Sequence, residues 1–496
     1  MKNTVHLITY VDRLSGGGLP QLGALLRGPL KDLFGGVHLL PFFFPIDGAD
    51  AGFDPIDHTQ IDPRLGTWAD LKELADGFQV MADLIVNHIS SRSAQFQDFL
   101  RNGSRSVHQG LFLTSDAVFP TGPSPADLDA IYRPRPGAPF TVYTWANGAS
   151  QLLWTTFTSQ QIDIDVRDPQ GVAYLERILT TFAANGIASV RLDAVGYAIK
   201  KAGTRCFLLP ETIEFIGSLS RRAQAVGMDI LVEVHAYYQR QVELAAQVAW
   251  VYDFALPPLV LHAFAFRTAK RLKEWVRIRP TNAITVLDTH DGIGILDIGP
   301  ERAGDHSPGL VPASELDQLV EWIHQNSSGQ SRLATGASAS NLDLYQLNCT
   351  FYDAMGRDDR SYLLARAIQF FLPGIPQVYY VGLLAGNNDM ELLAKTGVGR
   401  DINRHFYAPQ ELERALKKPV VQDLMRLIRL RNSHAAFGGQ FLLEQSLDGS
   451  LGLSWQRGVD FAHLQVWFDD LRYTLEFSAQ GGTERFTFAC GGSQHG

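Results

Sequence analysis

The sequence predicts an α/β fold: a closed (β/α)8 TIM barrel with two inserted subdomains and a C-terminal antiparallel β domain. Three observations carry this. Eight short β-rich runs alternate with helical patterns along most of the chain. Several of the runs are near-continuously apolar, as strands buried on both faces must be. After about Ala436 the pattern changes to alternation with period two.

The first run is Val5–Tyr10, followed by Gly16-Gly17-Gly18 and Leu-Pro, which suits a turn better than a nucleotide site. Gly36–Phe43 is the second run, and Trp68–Ala75 has helical spacing before the third, Met81–His88. Asp168-Pro169 reads as an N-cap and first helical residue, with Val172, Leu175, Ile178, Leu179 and Phe182 on one face. The remaining runs are Ala188–Val195, Asp229–Ala236, Trp250–Pro257, Ile284–Asp291 and Ile375–Gly382, and Pro419–Arg431 is again helical. On counting alone, a doubly wound open sheet has the same alternation.

Two gaps exceed ordinary loops. One, 87–166, is rich in Pro, Gly and aromatics and predicts an inserted B subdomain. The other, 292–356, has a helix near Leu316–His324 and predicts a second inserted subdomain. The barrel then comprises 1–86, 167–291 and 357–436. Residues 437–496 form the β domain, whose period-two alternation runs through Leu451, Leu453 and Trp455, then Leu464, Val466 and Phe468, then Tyr473, Leu475 and Phe477.

The chain has 496 residues, whereas a barrel needs roughly 250, so the insertions and the final domain account for the surplus. Its composition, 45% hydrophobic and 19% charged, excludes general disorder. A net charge of −9 argues against nonspecific nucleic-acid binding. Cys206, Cys349 and Cys490 are scattered and odd in number, so neither a disulfide framework nor a cysteine-rich zinc site is expected. Val5–Val11 is too short and interrupted for a signal peptide, and Ala365–Gly386 carries too many polar residues and prolines for a membrane span. These features predict a cytoplasmic protein without membrane or nucleic-acid partners. No phosphate-binding P-loop, H-E-x-x-H or G-x-S-x-G motif occurs.

What remains is a set of charged residues at the C-terminal ends of predicted strands, where barrel enzymes place their active sites. Strand three ends in Asn87-His88, strand four in Arg191-Leu192-Asp193, strand five in Glu233-Val234-His235 and strand seven in His290-Asp291. A charge within an apolar strand is costly unless paired or used. Two carboxylates on neighbouring strands suit glycosidic chemistry, one as nucleophile and one as proton donor. Glu233, between two valines, fits the acid; Asp193, near Arg191, fits the ionised partner.

Arg191-Leu-Asp193-Ala, Glu233-Val-His235, His290-Asp291 and Asp83-Leu-Ile-Val-Asn87-His88 resemble the four signature regions of the α-amylase superfamily. Gly52-Phe-Asp54-Pro-Ile-Asp57 and Asp62-Pro-Arg-Leu-Gly66-Thr resemble its strand-two loop. Within that superfamily the chain is most similar to the sucrose phosphorylases, over nearly its whole length. Phe53-Asp-Pro-Ile-Asp-His58-Thr, Ile131-Tyr-Arg-Pro-Arg-Pro-Gly137, Ser340-Asn-Leu-Asp-Leu-Tyr-Gln346 and Gly399-Arg-Asp-Ile-Asn-Arg404 carry the likeness.

The resemblance implies a hexosyltransferase, a retaining glycoside phosphorylase whose small-molecule substrates are sucrose, fructose, inorganic phosphate and glucose 1-phosphate, with transglucosylation of other acceptors. Asp193 would be the nucleophile, Glu233 the acid and base, and Asp291 the stabiliser of the oxocarbenium-like transition state. Asp50, His88, Arg191, His290 and Arg400 would hold glucosyl hydroxyls, with Phe53 and Phe157 as apolar walls. Tyr132, Pro134, Arg135, Tyr197, His235, Leu342, Asp343, Tyr345 and Gln346 would line the acceptor side, with Arg135 suited to hold phosphate oxygens in a bidentate fork. Asn87 matches an asparagine that related amylases use for calcium, but sucrose phosphorylases generally need no metal, so no metal or cofactor is implied. Rival readings are a sucrose 6′-phosphate, glucosylglycerol or glucosylglycerate phosphorylase, an α-glucosidase, or a noncatalytic carbohydrate-binding barrel. A monomer and a homodimer are both compatible with the sequence.

Overall fold

The computed structural model describes residues 1–47, 50–133, 137–301, 307–336, 346–479 and 482–489. The eight barrel strands are β1 His6–Thr9, β2 Gly36–Leu39, β3 Gln79–Ile85, β4 Ile187–Asp193, β5 Asp229–Val232, β6 Trp250–Asp253, β7 Ala283–Thr285 and β8 Ile375–Tyr379. They close in sequence order, all pairs being parallel, with β8 returning to β1. The open-sheet alternative is therefore overturned. Each predicted run overlaps its strand, those for β3, β4 and β7 starting one or two residues late, and most runs extend past the strand's C-terminal end. The difference is greatest at β7, which ends at Thr285 although the apolar pattern continues to Asp291. From Val286 to Asp291 the backbone pairs with no barrel strand. Thr289 O accepts from Asn403 Nδ2 at 2.9 Å and His290 O from Arg404 Nε at 2.9 Å. Similarly, His88 leaves β3 for a short strand, His88–Ser90, antiparallel to Gln161–Asp163.

The helices follow their sequence signals. Pro169–Ala184 starts where Asp168 accepts from the Gln170 amide, and Trp68–Ala75 where Thr67 and Asp70 form a reciprocal capping box. Gly16, at φ +65°, terminates the helix Val11–Ser15, and Gly18 caps Leu19–Arg27; the glycine run is a turn, as its sequence predicts, and it joins two helices.

Between β3 and β4 lies a hairpin, Phe140–Thr144 with Ser150–Trp154, over a small separate core that includes Leu113, Phe119, Ile131 and Trp154. Between β7 and β8, the helix Ala313–Asn326 brackets the predicted one. The C-terminal sheet has five antiparallel strands, β9 Gln440–Leu443, β10 Ser450–Arg457, β11 Asp460–Trp467, β12 Arg472–Ala479 and β13 Gly482–Arg485. Leu451, Leu453, Trp455, Leu464, Val466, Phe468 and Leu475 are buried, whereas Tyr473 and Phe477 are only half-buried. Trp455 docks the sheet on the barrel, its indole N–H donating to Phe371 O at 2.7 Å. No helix among the described residues is long and apolar enough to cross a membrane.

Candidate active site

A cavity of about 530 Å³ opens at the C-terminal ends of the barrel strands. Its floor follows from strand register. Arg191 on β4 lies opposite Asp83 on β3, and the period of two puts Arg191 and Asp193 on the same, inward face. Arg191 Nη1 donates to Asp83 at 2.6 Å and to Asp193 at 2.8 Å, while Nη2 lies 3.8 Å from Glu233, just past β5. One buried guanidinium thus holds the nucleophile candidate and approaches the acid candidate. Asp83 also takes a bond from His38 Nε2 at 3.1 Å. Burial opposes its charge, but His38 and Arg191 hold its carboxyl down, to about 2. Arg191 does not line the cavity wall; it is 2% exposed and lies beneath the carboxylates.

Asp193, Glu233 and Asp291 all face the cavity, but their electrostatic settings differ. Burial, reinforced by Glu233, Asp83 and Asp291, pushes the Asp193 carboxyl up to about 8 against the pull of Arg191. Arg191 favours the ionised form of Asp193, as its place in the sequence predicts, while burial and the further carboxylates that converge on it act the other way. Asp291 behaves oppositely. Burial disfavours its charge, yet His290, Arg400, Arg404 and Arg191 together hold it well below the usual carboxylate range. Arg400 Nη1 donates to Asp291 at 2.6 Å and Nη2 to Asp50 at 3.1 Å, joining the strand-two and strand-seven loops. The residue after Asp193, Ala194, has φ +55°, a conformation costing an L-residue about 1 kcal/mol or more. It turns the chain directly from β4 into the cavity wall.

The remaining wall is aromatic. Phe53 stacks on His290 with ring centres 4.9 Å apart, and Phe157 lies against His88 at 5.2 Å. Tyr197 packs on Phe157 and Tyr132, and Phe207 packs against both tyrosines. Burial lowers the proton affinity of His290, against the pull of Asp291, and lowers that of His88 as well. On the opposite side, His235 stacks on Phe254 and meets the amide of Gln346 at 3.2 Å. The cavity thus gathers Asp50, Phe53, His88, Tyr132, Phe157, Tyr197, His235, His290, Gln346 and Arg400 around the carboxylate trio. Pro134, Arg135, Leu342, Asp343 and Tyr345 lie outside the described residues.

Several structural participants escaped the sequence reading. Lys200, 1% exposed, places its ammonium 2.6 Å from Asn87 Oδ1 and 2.5 Å from Asp163 Oδ2. The asparagine that suggested calcium is thus bonded to a cation of the chain itself, and its surroundings do not fit a second one. Among the described residues no cluster of three or more His, Cys, Asp or Glu is arranged to hold a metal. Asp297, buried behind His235, was also missed. Its setting, Ile295-Leu296-Asp297-Ile298, has the same signal that singled out Glu233: an acid within an apolar run.

A closed parallel barrel with acids at its C-terminal mouth is the architecture of the alpha-amylase catalytic domain, and that family's model matches residues 30–246. A sucrose phosphorylase of Agrobacterium vitis is 58% identical over 489 residues, covering 99% of both chains. One from Bifidobacterium adolescentis is 52% identical over 456 residues, covering 92% of this chain and 90% of that one. The crystal structure of a sucrose 6F-phosphate phosphorylase from Thermoanaerobacter thermosaccharolyticum superposes with a TM-score of 0.91 at 38% identity, covering 98% of each. The chain belongs to the sucrose phosphorylase family of the alpha-amylase superfamily.

Proposed function

We propose that this enzyme, a hexosyltransferase, catalyses the reversible phosphorolysis of sucrose to α-D-glucose 1-phosphate and D-fructose. The 58% identity to a sucrose phosphorylase across 99% of both chains carries this reading. In the first half-reaction an Asp193 carboxylate oxygen bonds to the anomeric carbon as Glu233 protonates the departing fructosyl oxygen. In the second, Glu233 takes the proton of phosphate as a phosphate oxygen displaces Asp193. Two inversions give net retention. Asp291, kept ionised by Arg400 and its neighbours, stabilises the cationic transition state. Arg191, beneath both reacting carboxylates, fixes the nucleophile's position.

Asp50, His88, His290 and Arg400 hold the glucosyl hydroxyls between Phe53 and Phe157. Tyr132, Pro134, Arg135, Tyr197, His235, Leu342, Asp343, Tyr345 and Gln346 form the acceptor side, most of it supplied by insertions at 87–166 and 292–356. A cytoplasmic monomer or homodimer completes the reading.

Incubation with sucrose, with and without phosphate, tests the assignment. Glucose 1-phosphate is the expected major product, rising with phosphate at the expense of free glucose. Free glucose as the main product regardless of phosphate would make the enzyme a hydrolase. A strong preference for sucrose 6′-phosphate as donor would move it to a neighbouring activity.

A further inference from the structure

Asp291 stands beyond the end of β7, so contacts other than the barrel ladder hold it in place. The peptide that joins His290 to Asp291 is fixed on both sides. The Asp291 amide donates to Thr289 Oγ1 at 3.2 Å, and the His290 carbonyl accepts from Arg404 Nε at 2.9 Å. The buried Arg404 guanidinium also reaches the Asp291 carboxylate. Its Nη2 lies 3.9 Å from Asp291 Oδ1 and makes no hydrogen bond among the described residues, while Nη1 lies 3.5 Å from Asp401 Oδ1. The backbone that carries Arg404 is tied to the barrel. Arg404 O accepts from Arg13 Nη1 at 3.0 Å, and Asn403 O accepts from the Tyr379 hydroxyl, at the end of β8, at 2.9 Å.

Arg400 Nη1 donates to the same oxygen, Asp291 Oδ1, at 2.6 Å. The two arginines differ in what else they meet. Arg400 lines the cavity, is half-buried and is shared with Asp50, so a bound sugar competes for it. Arg404 does not line the cavity. A cation held by the fold keeps its place while substrate enters and leaves. We propose that Arg404 is the positioning residue for the transition-state stabiliser: it fixes the His290–Asp291 peptide and supplies a constant positive charge at Asp291 Oδ1, leaving Arg400 available to the substrate. This rests on the role given to Asp291 above. Burial disfavours a charge on Asp291, and His290, Arg400, Arg404 and Arg191 together overcome it.

Arg404→Gln removes the charge and keeps an N–H donor on the same side chain. The maximal rate of glucosyl-enzyme formation falls about 10²-fold, with sucrose and with α-glucosyl fluoride alike, because Asp291 serves both departures. Half-saturation by sucrose stays within about threefold, since Arg404 touches no substrate. Arg404→Lys restores the charge but not the planar fork that meets carbonyl and carboxylate together, and recovers about tenfold of the lost rate. In an Asp291→Asn background, adding either substitution costs no more than about threefold, as expected of a residue acting through Asp291.

A loss confined to sucrose binding would overturn the proposal, as would a lysine variant no faster than the glutamine one or an undiminished Arg404 effect without Asp291. If Arg404→Gln does not fold, Arg404→Lys decides alone: a rate within about twofold of wild type, or an equal loss in the Asp291→Asn background, would overturn the proposal as well. An Asp291→Asn enzyme that loses less than about tenfold in rate would instead overturn the role assigned to Asp291, and this one with it.

Discussion

Asp193→Asn lowers kcat for sucrose phosphorolysis by about 10⁵-fold, the scale seen when a covalent nucleophile is removed from a site left otherwise intact. The structure explains why the loss is chemical rather than structural. The asparagine amide would retain an oxygen for Arg191 Nη1, which lies 2.8 Å from the Asp193 carboxylate, so the floor of the cavity keeps its geometry. Asp193 is moreover a residue whose charge burial disfavours, its carboxyl being pushed up to about 8. Its proton affinity is higher folded than unfolded, so ionising it costs stability as pH rises from about 4 to about 8. A neutral amide avoids that cost. The variant therefore melts at or above the wild-type temperature at pH 8 while losing turnover. Residual activity above about one per cent would refute the nucleophile assignment. A collapse in melting temperature would refute the electrostatic account.

Glu233→Gln has the next largest effect, and its size depends on the leaving group. With sucrose, where the fructosyl oxygen needs a proton, the rate of glucosyl-enzyme formation falls about 10³- to 10⁴-fold. With α-glucosyl fluoride, whose fluoride leaves unprotonated, that step falls no more than about tenfold. The pH dependence moves as well. Glu233 is among the like charges that raise the Asp193 carboxyl, so its neutralisation lets Asp193 ionise at lower pH. The ascending limb of kcat/KM for the fluoride accordingly shifts to lower pH in the variant. Equal losses on both donors would assign the proton to another residue. An unmoved limb would show that the two carboxylates do not sense one another.

The barrel was legible because strands buried on both faces announce themselves as apolar runs, and all eight coincide with predicted segments. Their ends were not, for a physical reason. Val286 and Leu287 are as buried as strand residues, so hydrophobicity continues where β7 has stopped and side chains of 399–404 have taken over the carbonyls beyond it. The catalytic candidates stood out as charges inside apolar strands, and Asp193, Glu233 and Asp291 do meet at one cavity. Local sequence showed only part of the electrostatic setting of Asp193, because Arg191 is two residues away whereas Glu233 and Asp83 reach it only through the closed barrel. Partnerships across the chain were equally hidden. Lys200 with Asn87 and His235 with Asp297 span 113 and 62 residues, and no periodicity records them.

The covalent step can be observed directly. Glu233→Gln forms the glucosyl-enzyme from α-glucosyl fluoride but lacks the base that activates phosphate, so the ester accumulates. Acid quenching, proteolysis and mass spectrometry should find one added glucosyl residue on the peptide containing Asp193, and none when Asp193→Asn is combined with Glu233→Gln. A glucosyl group on any other residue, or continued turnover without an adduct at Asp193, would contradict the double-displacement mechanism.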